Sequence, residues 1–289
     1  MAQPTPTAYS DFSKLAGDLL SKDFPAGTVK LEVNTTAPNG MTFTVNGTKD
    51  NKADTIQGEL KAKWFDFKNG VTFSQGWTTS NLITGQIELE NNVRKGLKLD
   101  INSSFHPVTN AKSGRVGVIF KQAGVHARGY FDITKSRTVT ADTVLAREGC
   151  LLGLETVYDV VEGKVTRYSA AVGYAAPFYT VTLHANQGLN VFTTAYHHRV
   201  NPDLEAAGRM VYDTTKKEES LPVALEVGAK YFLDNGAYVK AKVNNTGILG
   251  LSFTQLLRPG VKVTLAGVFD TMRLNENAHK LGIGISVNA

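Results

Sequence analysis

The chain has 289 residues, with 31 Lys and Arg against 26 Asp and Glu, and its formal net charge is +5. The basic residues form no tail or cluster, which argues against nucleic acid as a partner, because nucleic-acid-binding proteins concentrate Lys and Arg on one surface. The single cysteine, Cys150, excludes an intramolecular disulfide. No arginine precedes Arg94, so an Arg-rich presequence is excluded.

The first predicted element is an amphipathic helix over about residues 7–21. Its charged stripe and its apolar stripe follow helical spacing: Asp11, Lys14, Asp18 and Lys22 on the first, Phe12, Leu15, Ala16 and Leu19 on the second. The helix is too short and too charged to span a membrane. The pattern alone leaves open whether it lies at a membrane interface, covers a core or lies inside a pore. Pro25, Ala26 and Gly27 then lead to the first strand.

From about residue 28 onward, apolar and polar residues alternate in short segments, most clearly in residues 97–102, 261–270 and 281–288. Period-two alternation predicts strands with two chemically different faces. A strand and its turn use about 13 to 14 residues, which gives ~19 or 20 strands. Glycine-containing turns separate them and predict antiparallel hairpins: Asn39-Gly40, Asn69-Gly70, Glu162-Gly163, Asp234-Asn235-Gly236 and Pro259-Gly260.

A soluble β-protein would show similar alternation, because one face of its sheet packs on a core and the other meets water. Here hairpin follows hairpin with many glycines and without a helical layer, which favours a closed membrane barrel. In such a barrel the apolar stripe of each strand faces lipid and the other stripe lines the lumen. The fourth strand predicts a lipid-facing stripe of Val71, Phe73, Gln75 and Trp77.

The predicted lumen stripe carries more basic than acidic residues. Basic side chains in a narrow aqueous passage raise the local concentration of anions, although Lys on a strand is often only a solvated residue. We therefore predict anion preference from the pore-lining residues on the strands, which include Lys30, Lys61, Lys98, Arg115, Lys121, Lys240, Lys242 and Lys262.

The sequence offers no catalytic or metal-binding motif. The six histidines include no His-Glu-x-x-His pair, and the adjacent His197 and His198 would point to opposite faces of a strand. Neither a Walker loop nor a Gly-x-Gly-x-x-Gly turn occurs. Cys150 has no assigned base and is treated as a small apolar residue. We predict neither enzymatic activity nor a cofactor or metal site.

Several segments resemble the voltage-dependent anion channels, the porins of the mitochondrial outer membrane. The similarity covers nearly the whole chain, and two segments look most like fungal members, Leu19-Leu20-Ser21-Lys22-Asp23-Phe24 and Gln255-Leu256-Leu257-Arg258-Pro259-Gly260. The other segments that carry it are Tyr9-Ser10-Asp11-Phe12, Lys95-Gly96-Leu97-Lys98, Tyr168-Ser169-Ala170-Ala171-Val172-Gly173-Tyr174 and His279-Lys280-Leu281-Gly282.

The resemblance implies an all-β fold, a transmembrane antiparallel β-barrel of about 19 strands whose first and last strands are parallel. Residues 28–289 would form the barrel, and residues 1–27 an amphipathic helix and linker. The resemblance places this helix inside the pore, with Asp11, Phe12, Leu15, Asp18 and Leu19 as pore-helix residues and Lys14 and Lys22 as further pore-lining residues. It also implies an insertion signal near the C-terminus, formed by Lys280, Gly282, Ile285 and Val287.

The implied function is a voltage-gated diffusion pore for ATP, ADP, phosphate, organic acids and small ions across the mitochondrial outer membrane. Implied partners are membrane lipids, the transported nucleotides and anions, further copies of the chain, and docked kinases or apoptosis regulators. The alternatives are a protein-conducting barrel of the same superfamily, a docking scaffold, and a soluble β-barrel binder. An acidic lumen would favour the protein-conducting barrel. A docking scaffold would bind its partners through the loops at the rim of the barrel.

Two positions depart from other members of the family. Gln75 stands where some animal members have a membrane-facing glutamate, and the linker reads Asp23-Phe24-Pro25-Ala26-Gly27 rather than being Gly-rich. Properties tied to that carboxyl group or to a flexible linker are therefore not implied for this chain.

Overall fold

A computed structural model describes residues 5–92, 94–134, 137–216, 223–233, 236–275 and 279–289. A single 3₁₀ turn covers Tyr9–Asp11, and helix α1 covers Lys14–Ser21. Nineteen strands follow in the described residues: β1 Thr28–Thr36, β2 Thr42–Asp50, β3 Thr55–Asp66, β4 Val71–Thr78, β5 Ile83–Glu90, β6 Leu97–His106, β7 Ala111–Gln122, β8 Val125–Asp132, β9 Thr138–Arg147, β10 Cys150–Asp159, β11 Lys164–Ala175, β12 Tyr179–Asn186, β13 Val191–Asn201, β14 Leu204–Asp213, β15 Val223–Phe232, β16 Tyr238–Asn244, β17 Ile248–Arg258, β18 Val261–Asp270 and β19 Lys280–Asn288.

The strands form one closed sheet, as predicted. Each strand pairs with the next in antiparallel orientation, and β1 pairs with β19 in parallel, from Val29 opposite Ile283 to Asn34 opposite Asn288. An odd number of strands in an up-and-down order requires one parallel pair, because the first and last strands run in the same direction. Closure leaves no sheet edge whose backbone groups would be unpaired in lipid.

Tight turns at the predicted glycines connect the strands. Gly70 and Gly260 have φ values of 59° and 84°, and a Cβ at Gly260 would contact the Asn288 carbonyl oxygen. Gly40 and Gly163 also have positive φ, which glycine adopts without the strain of a side chain. Of the predicted turn Asp234-Asn235-Gly236, only Gly236 belongs to the described residues, and its φ is also positive.

The two faces of the barrel differ in chemistry. Apolar side chains such as Leu31, Leu154 and Leu265 project outward and are about half exposed. Outward tyrosines occur near both ends of the strands, for example Tyr168 toward one rim and Tyr179 toward the other. An apolar band with aromatic residues at its borders is typical of barrels that span a bilayer. The buried apolar clusters lie inside, where the N-terminal segment contacts the wall.

The N-terminal segment is not the continuous helix that the sequence predicts for residues 7–21. Ala8 is extended, with φ −65° and ψ 156°, and Ser13, at φ −96° and ψ 12°, interrupts the path between the 3₁₀ turn and α1. The interruption lets Tyr9 and Phe12 pack on one part of the curved wall while α1 packs on another. A single straight stripe could not contact both parts.

The predicted apolar stripe is also wrong at one position. Leu15 is 55% exposed, whereas Leu20, which the prediction left out, is fully buried. At 100° per residue, Ala16, Leu19 and Leu20 lie within an arc of about 100° around the helix axis, and Leu15 lies about a quarter turn from the centre of that arc. Leu15 therefore faces the open lumen.

Candidate functional site

The inner face of the barrel can be identified from the residues that contact α1. Ala16, Leu19 and Leu20 pack against Ala195 and Ala207 on β13 and β14. Successive strand registers carry this face around the barrel, because residues directly opposite each other project to the same side. All eight predicted pore-lining residues on strands fall on this inner face: Lys30, Lys61, Lys98, Arg115, Lys121, Lys240, Lys242 and Lys262.

The predicted lipid-facing stripe lies on the opposite face. Val71, Phe73, Gln75 and Trp77 alternate with inward-facing residues along β4, and Phe73 and Trp77 are well exposed on the outside. Gln75 lies between Ala62 and Gly85 of the neighbouring strands. Its amide therefore occupies a row of small residues on the outer surface.

The inner-face cations differ in whether another side chain engages them. Among the described residues, the side chains of Lys30, Lys61 and Lys121 make no hydrogen bond or ion pair, and all three are exposed to the lumen. Lys98 pairs with Glu88 at 2.9 Å, and the Arg115 guanidinium lies 3.8 Å from the centre of the Tyr130 ring. The inner face of the barrel therefore carries both cations that contact another side chain and cations that do not.

Two polar recesses in the lumen carry the exposed charges. One, of about 360 Å³, is lined by Lys61 and Arg115 together with Gln86, Asn102 and several hydroxyl side chains. The other, of about 440 Å³, lies between the linker and the wall and includes Lys22, Lys30 and Lys262. Both recesses place ammonium or guanidinium groups beside neutral or acidic hydrogen-bonding groups, an arrangement that suits hydrated anions.

The helix residues that the sequence assigned to the pore lie in the lumen. Lys14 and Asp11 are 3.9 Å apart, and Lys22 and Asp18 are 2.8 Å apart. The hydrogen bond from Lys22 to the Asp18 carboxylate raises the pKa of the exposed Lys22 ammonium. These pairs lie along the helix and face pore water.

The N-terminal end of the segment packs on small residues of the wall. Tyr9 and Phe12 contact Val144 and Ala171, and a Cβ at Gly153 would meet the Tyr9 ring at 2.7 Å. Burial raises the pKa of Tyr9 to about 12, so its hydroxyl group stays neutral. Small residues on an inward stripe that is otherwise polar are the sequence signal that could have located this contact.

The C-terminal end of the helix is held by charged residues of β15–β18. Lys242 donates a hydrogen bond to the Leu20 carbonyl oxygen at 2.7 Å and pairs with Glu226 at 3.0 Å. Lys240 donates to the carbonyl oxygens of Asp18 and Lys22 at 3.3 and 3.2 Å. Lysines at these positions satisfy the Leu20 and Lys22 carbonyl groups, which the helix end leaves without intrahelical partners, and add a second donor to the Asp18 carbonyl group. Lys240 and Lys242 therefore line the lumen but act on the helix.

Sequence reasoning missed the acidic member of this arrangement. Asp23 of the linker lies 2.9 Å from the Lys240 ammonium and 3.9 Å from that of Lys262. It also accepts a hydrogen bond from the Tyr238 hydroxyl group at 2.9 Å. The only sequence signal was the unusual linker, which has an acid where flexibility would call for glycine.

The four residues of the implied insertion signal lie on β19. Lys280 and Gly282 face inward, and Ile285 and Val287 face outward. Gly282 also has a structural role, because a Cβ there would collide with the Pro25 carbonyl oxygen of the linker. The linker backbone therefore passes along the inner surface of the wall, directly over this glycine.

None of the described helices has the length and apolar character needed to cross a membrane. The part of the chain that the structure describes also holds no group of three or more His, Cys, Asp or Glu residues placed to bind a metal.

Comparison with known proteins identifies the family. The model of the eukaryotic porin family matches residues 5–282. The mitochondrial outer membrane protein porin of Candida albicans is 41% identical over 98% of this chain and 99% of that protein. The porin of the same name from Neurospora crassa is 38% identical over 95% and 96% of the two chains.

An animal relative is more distant. The non-selective voltage-gated ion channel VDAC2 of Xenopus laevis is 33% identical over 98% of this chain and 99% of that protein. The higher identity to the two fungal porins agrees with the fungal character of the two segments at residues 19–24 and 255–260. The chain belongs to the eukaryotic porin family, as a channel rather than an enzyme, and its β-barrel forms a pore for metabolites in the mitochondrial outer membrane.

Proposed function

We propose that this pore prefers anions and passes ATP, ADP, phosphate, organic acids and small ions under voltage control. The observation that carries the proposal is the set of exposed lumen lysines without a partner among the described residues, Lys30, Lys61 and Lys121. Several acidic residues of the same face are already engaged by cations, such as Glu88 by Lys98 and Asp142 by Arg128. The charge that solutes meet is therefore biased toward positive.

The preference must come from many residues acting together. Two unit charges ~10 Å apart in water interact by only about 0.4 kcal/mol. Salt at ~0.1 M limits the reach of each charge to about 10 Å. Each lysine therefore shifts the local ion concentration slightly, and their sum sets a modest preference, in keeping with a diffusion pore rather than a selective filter.

Voltage control is proposed on two grounds. Animal relatives carry the name non-selective voltage-gated ion channel. In this chain a helix with charged side chains lies inside the lumen, where the transmembrane field acts on it. A field does work of about 2.3 kcal/mol on each unit charge moved through 100 mV, so displacement of charged elements would respond to voltage.

A planar-bilayer measurement tests the proposal. Purified protein is inserted into a bilayer with a potassium chloride gradient, and the reversal potential and the current at a series of voltages are recorded. We expect a reversal potential of the sign that shows chloride to be more permeant than potassium. We also expect ATP flux through the open state and lower conductance at high voltage of either sign. A cation-selective reversal potential would contradict the proposal. Block by cationic presequence peptides, together with cation preference, would support the protein-conducting alternative instead.

We also propose that Lys280, Gly282, Ile285 and Val287 direct insertion into the outer membrane. The outward Ile285 and Val287 would remain accessible on the last strand until β19 pairs with β1. Import into isolated mitochondria should fall for Ile285→Gln with Val287→Gln and stay normal for the matched inward change Ser286→Gln. Equal import of both proteins would refute this assignment. Homo-oligomer contacts and docking of kinases or apoptosis regulators remain predictions from the family.

A further inference from the structure

The linker residue Asp23 connects the helix to three wall strands. Its carboxylate contacts Tyr238 and Lys240 on β16 and Lys262 on β18. Its backbone carbonyl oxygen accepts a hydrogen bond from the Ser252 hydroxyl group on β17. We call these five residues, together with Lys242, the helix anchor.

Asp23 is required by the burial of its main partner. The Lys240 side chain is only 5% exposed, and its ammonium group contacts the Asp23 carboxylate and two carbonyl oxygens at the helix end. Removing one partner of a buried ion pair is strongly destabilising, because it leaves an uncompensated charge. Without Asp23, Lys240 would retain only the partial negative charge of the carbonyl groups.

The backbone of Asp23 supports the same conclusion. Its φ is 66°, in the left-handed region that non-glycine residues rarely adopt, although Asp tolerates it better than most. A residue keeps such a conformation when surrounding contacts determine it. Four side chains from β16, β17 and β18 supply these contacts, so the linker is fixed at this point rather than flexible.

The carboxylate also stays ionised over a wide pH range. Burial alone would raise the pKa of Asp23, but the hydrogen bonds from Lys240 and Tyr238 and the charge of Lys262 outweigh burial and hold the pKa below its usual value. At neutral pH the carboxylate therefore neutralises part of the positive charge of Lys240 and Lys262.

We propose that Asp23 is a positioning and selectivity-determining residue, which holds the helix end on the wall, keeps Lys240 buried and offsets part of the charge of the partly exposed Lys262. Helix position and anion preference are then coupled through one side chain. When the helix end leaves the wall with Asp23, Lys240 becomes available to anions and the charge of Lys262 is no longer offset. The selectivity half of this inference rests on the anion preference proposed above, whereas the positioning half does not.

Accessibility of the helix tests the positioning role. In a Cys150→Ser background, Ala16→Cys places a thiol on the buried side of α1, since Ala16 is 2% exposed. A water-soluble maleimide should label this thiol slowly in the parent. Addition of Asp23→Asn should raise the labelling rate by about tenfold or more, because a buried lysine loses its counter-ion. Leu15→Cys, at an exposed position, reports the reactivity of a thiol that is always accessible.

Asp18→Asn is the matched control. It removes the same charge from the same segment, but the Asp18 carboxylate pairs only with the exposed Lys22. Exposed ion pairs contribute little, so labelling of Ala16→Cys should stay within about twofold of the parent. The reversal potential should shift toward anions in both variants, and further in Asp23→Asn because Lys240 becomes exposed and the charge of Lys262 is no longer offset. Identical labelling and identical reversal potentials in the two variants would overturn the proposal.

Two more variants approach the anchor differently. Asp23→Glu keeps the carboxylate and should restore most of the slow labelling. Lys240→Gln should raise labelling by itself, and adding Asp23→Asn to it should then have a smaller effect, as expected for residues that act as a pair. If Asp23→Asn alone fails to insert, the labelling rate of Lys240→Gln compared with that of the parent still tests whether the anchor holds the helix. A parent channel without anion preference would refute the proposed function while leaving the labelling results valid.

Discussion

The lumen has two walls that use the same types of residue in different ways. The helix wall, β8–β18, presents small residues such as Gly153, Ala195 and Ala207 to the N-terminal segment, and engages Lys240 and Lys242 in the anchor. On the bare wall, β2–β7, the described residues of the N-terminal segment do not cover the inner face, and Lys61 and Lys121 are exposed. A lysine on an inward stripe is therefore a selectivity charge only where nothing else satisfies it.

Removal of the N-terminal segment, which packs on the helix wall, should have the largest effect on channel behaviour. Deletion of residues 1–20 exposes the small-residue surface of the helix wall and removes the Asp18 and Leu20 carbonyl groups that Lys240 and Lys242 contact. The strands close without the segment, so we expect the barrel to insert. Single-channel recordings should show greater current noise and a weaker voltage response. Unchanged gating would mean that the segment has no part in the conducting path.

Neutralising three lysines on either wall should separate charge from position. Lys63 lies two residues after Lys61 on β3, opposite the inward Ser74, and is also exposed. The bare-wall triple Lys61→Gln, Lys63→Gln and Lys121→Gln should shift the reversal potential toward cations while Ala16→Cys labelling stays slow. The helix-wall triple Lys240→Gln, Lys242→Gln and Lys262→Gln loses the same formal charge but should also raise labelling. Faster labelling in the bare-wall triple would show that the two walls are not independent.

A single enlarged side chain on each wall gives a smaller, local effect. Ala207 packs on the helix and is 5% exposed, so Ala207→Leu overpacks the contact at a cost of about 1–3 kcal/mol. The matched inward residue on the bare wall is Ser104, which the described helices do not cover. Labelling of Ala16→Cys should rise in Ala207→Leu and not in Ser104→Leu. Equal labelling would place the helix elsewhere in the lumen.

The fold was predictable because each strand repeats a simple pattern. Alternation predicts which residues face inward and which face outward, and it places Lys61 and Gln75 on opposite sides of the barrel wall. The turns at Gly70 and Gly260 followed from glycine chemistry. The strand number and the parallel closure came from family resemblance, since the residue count gave only a range.

The candidate site was less predictable, because it depends on which side chains meet across the lumen. Lys240 and Lys61 have the same pattern in sequence, yet one is engaged by Asp23 and the other is exposed. Leu15 and Leu20 could not be separated without the break at Ser13. Periodicity specifies the face of a strand or helix but not the partner of a side chain, and the role of a charge in this pore depends on its partner.

The smallest expected effect is that of mild acid on the helix anchor. The pKa of Asp23 lies below the usual value of about 3.9. A carboxylate with a lowered pKa stabilises the anchored state above its ordinary pKa, and this contribution is lost only as the pH falls through the lowered value. The labelling rate of Ala16→Cys, divided by that of Leu15→Cys at each pH to correct for thiol ionisation, should therefore stay constant from about pH 7 to pH 5 and rise only below about pH 4. A rise between pH 7 and pH 5 would show that a group with a higher pKa, such as a wall histidine, holds the helix, and that Asp23 is not the residue that determines its position.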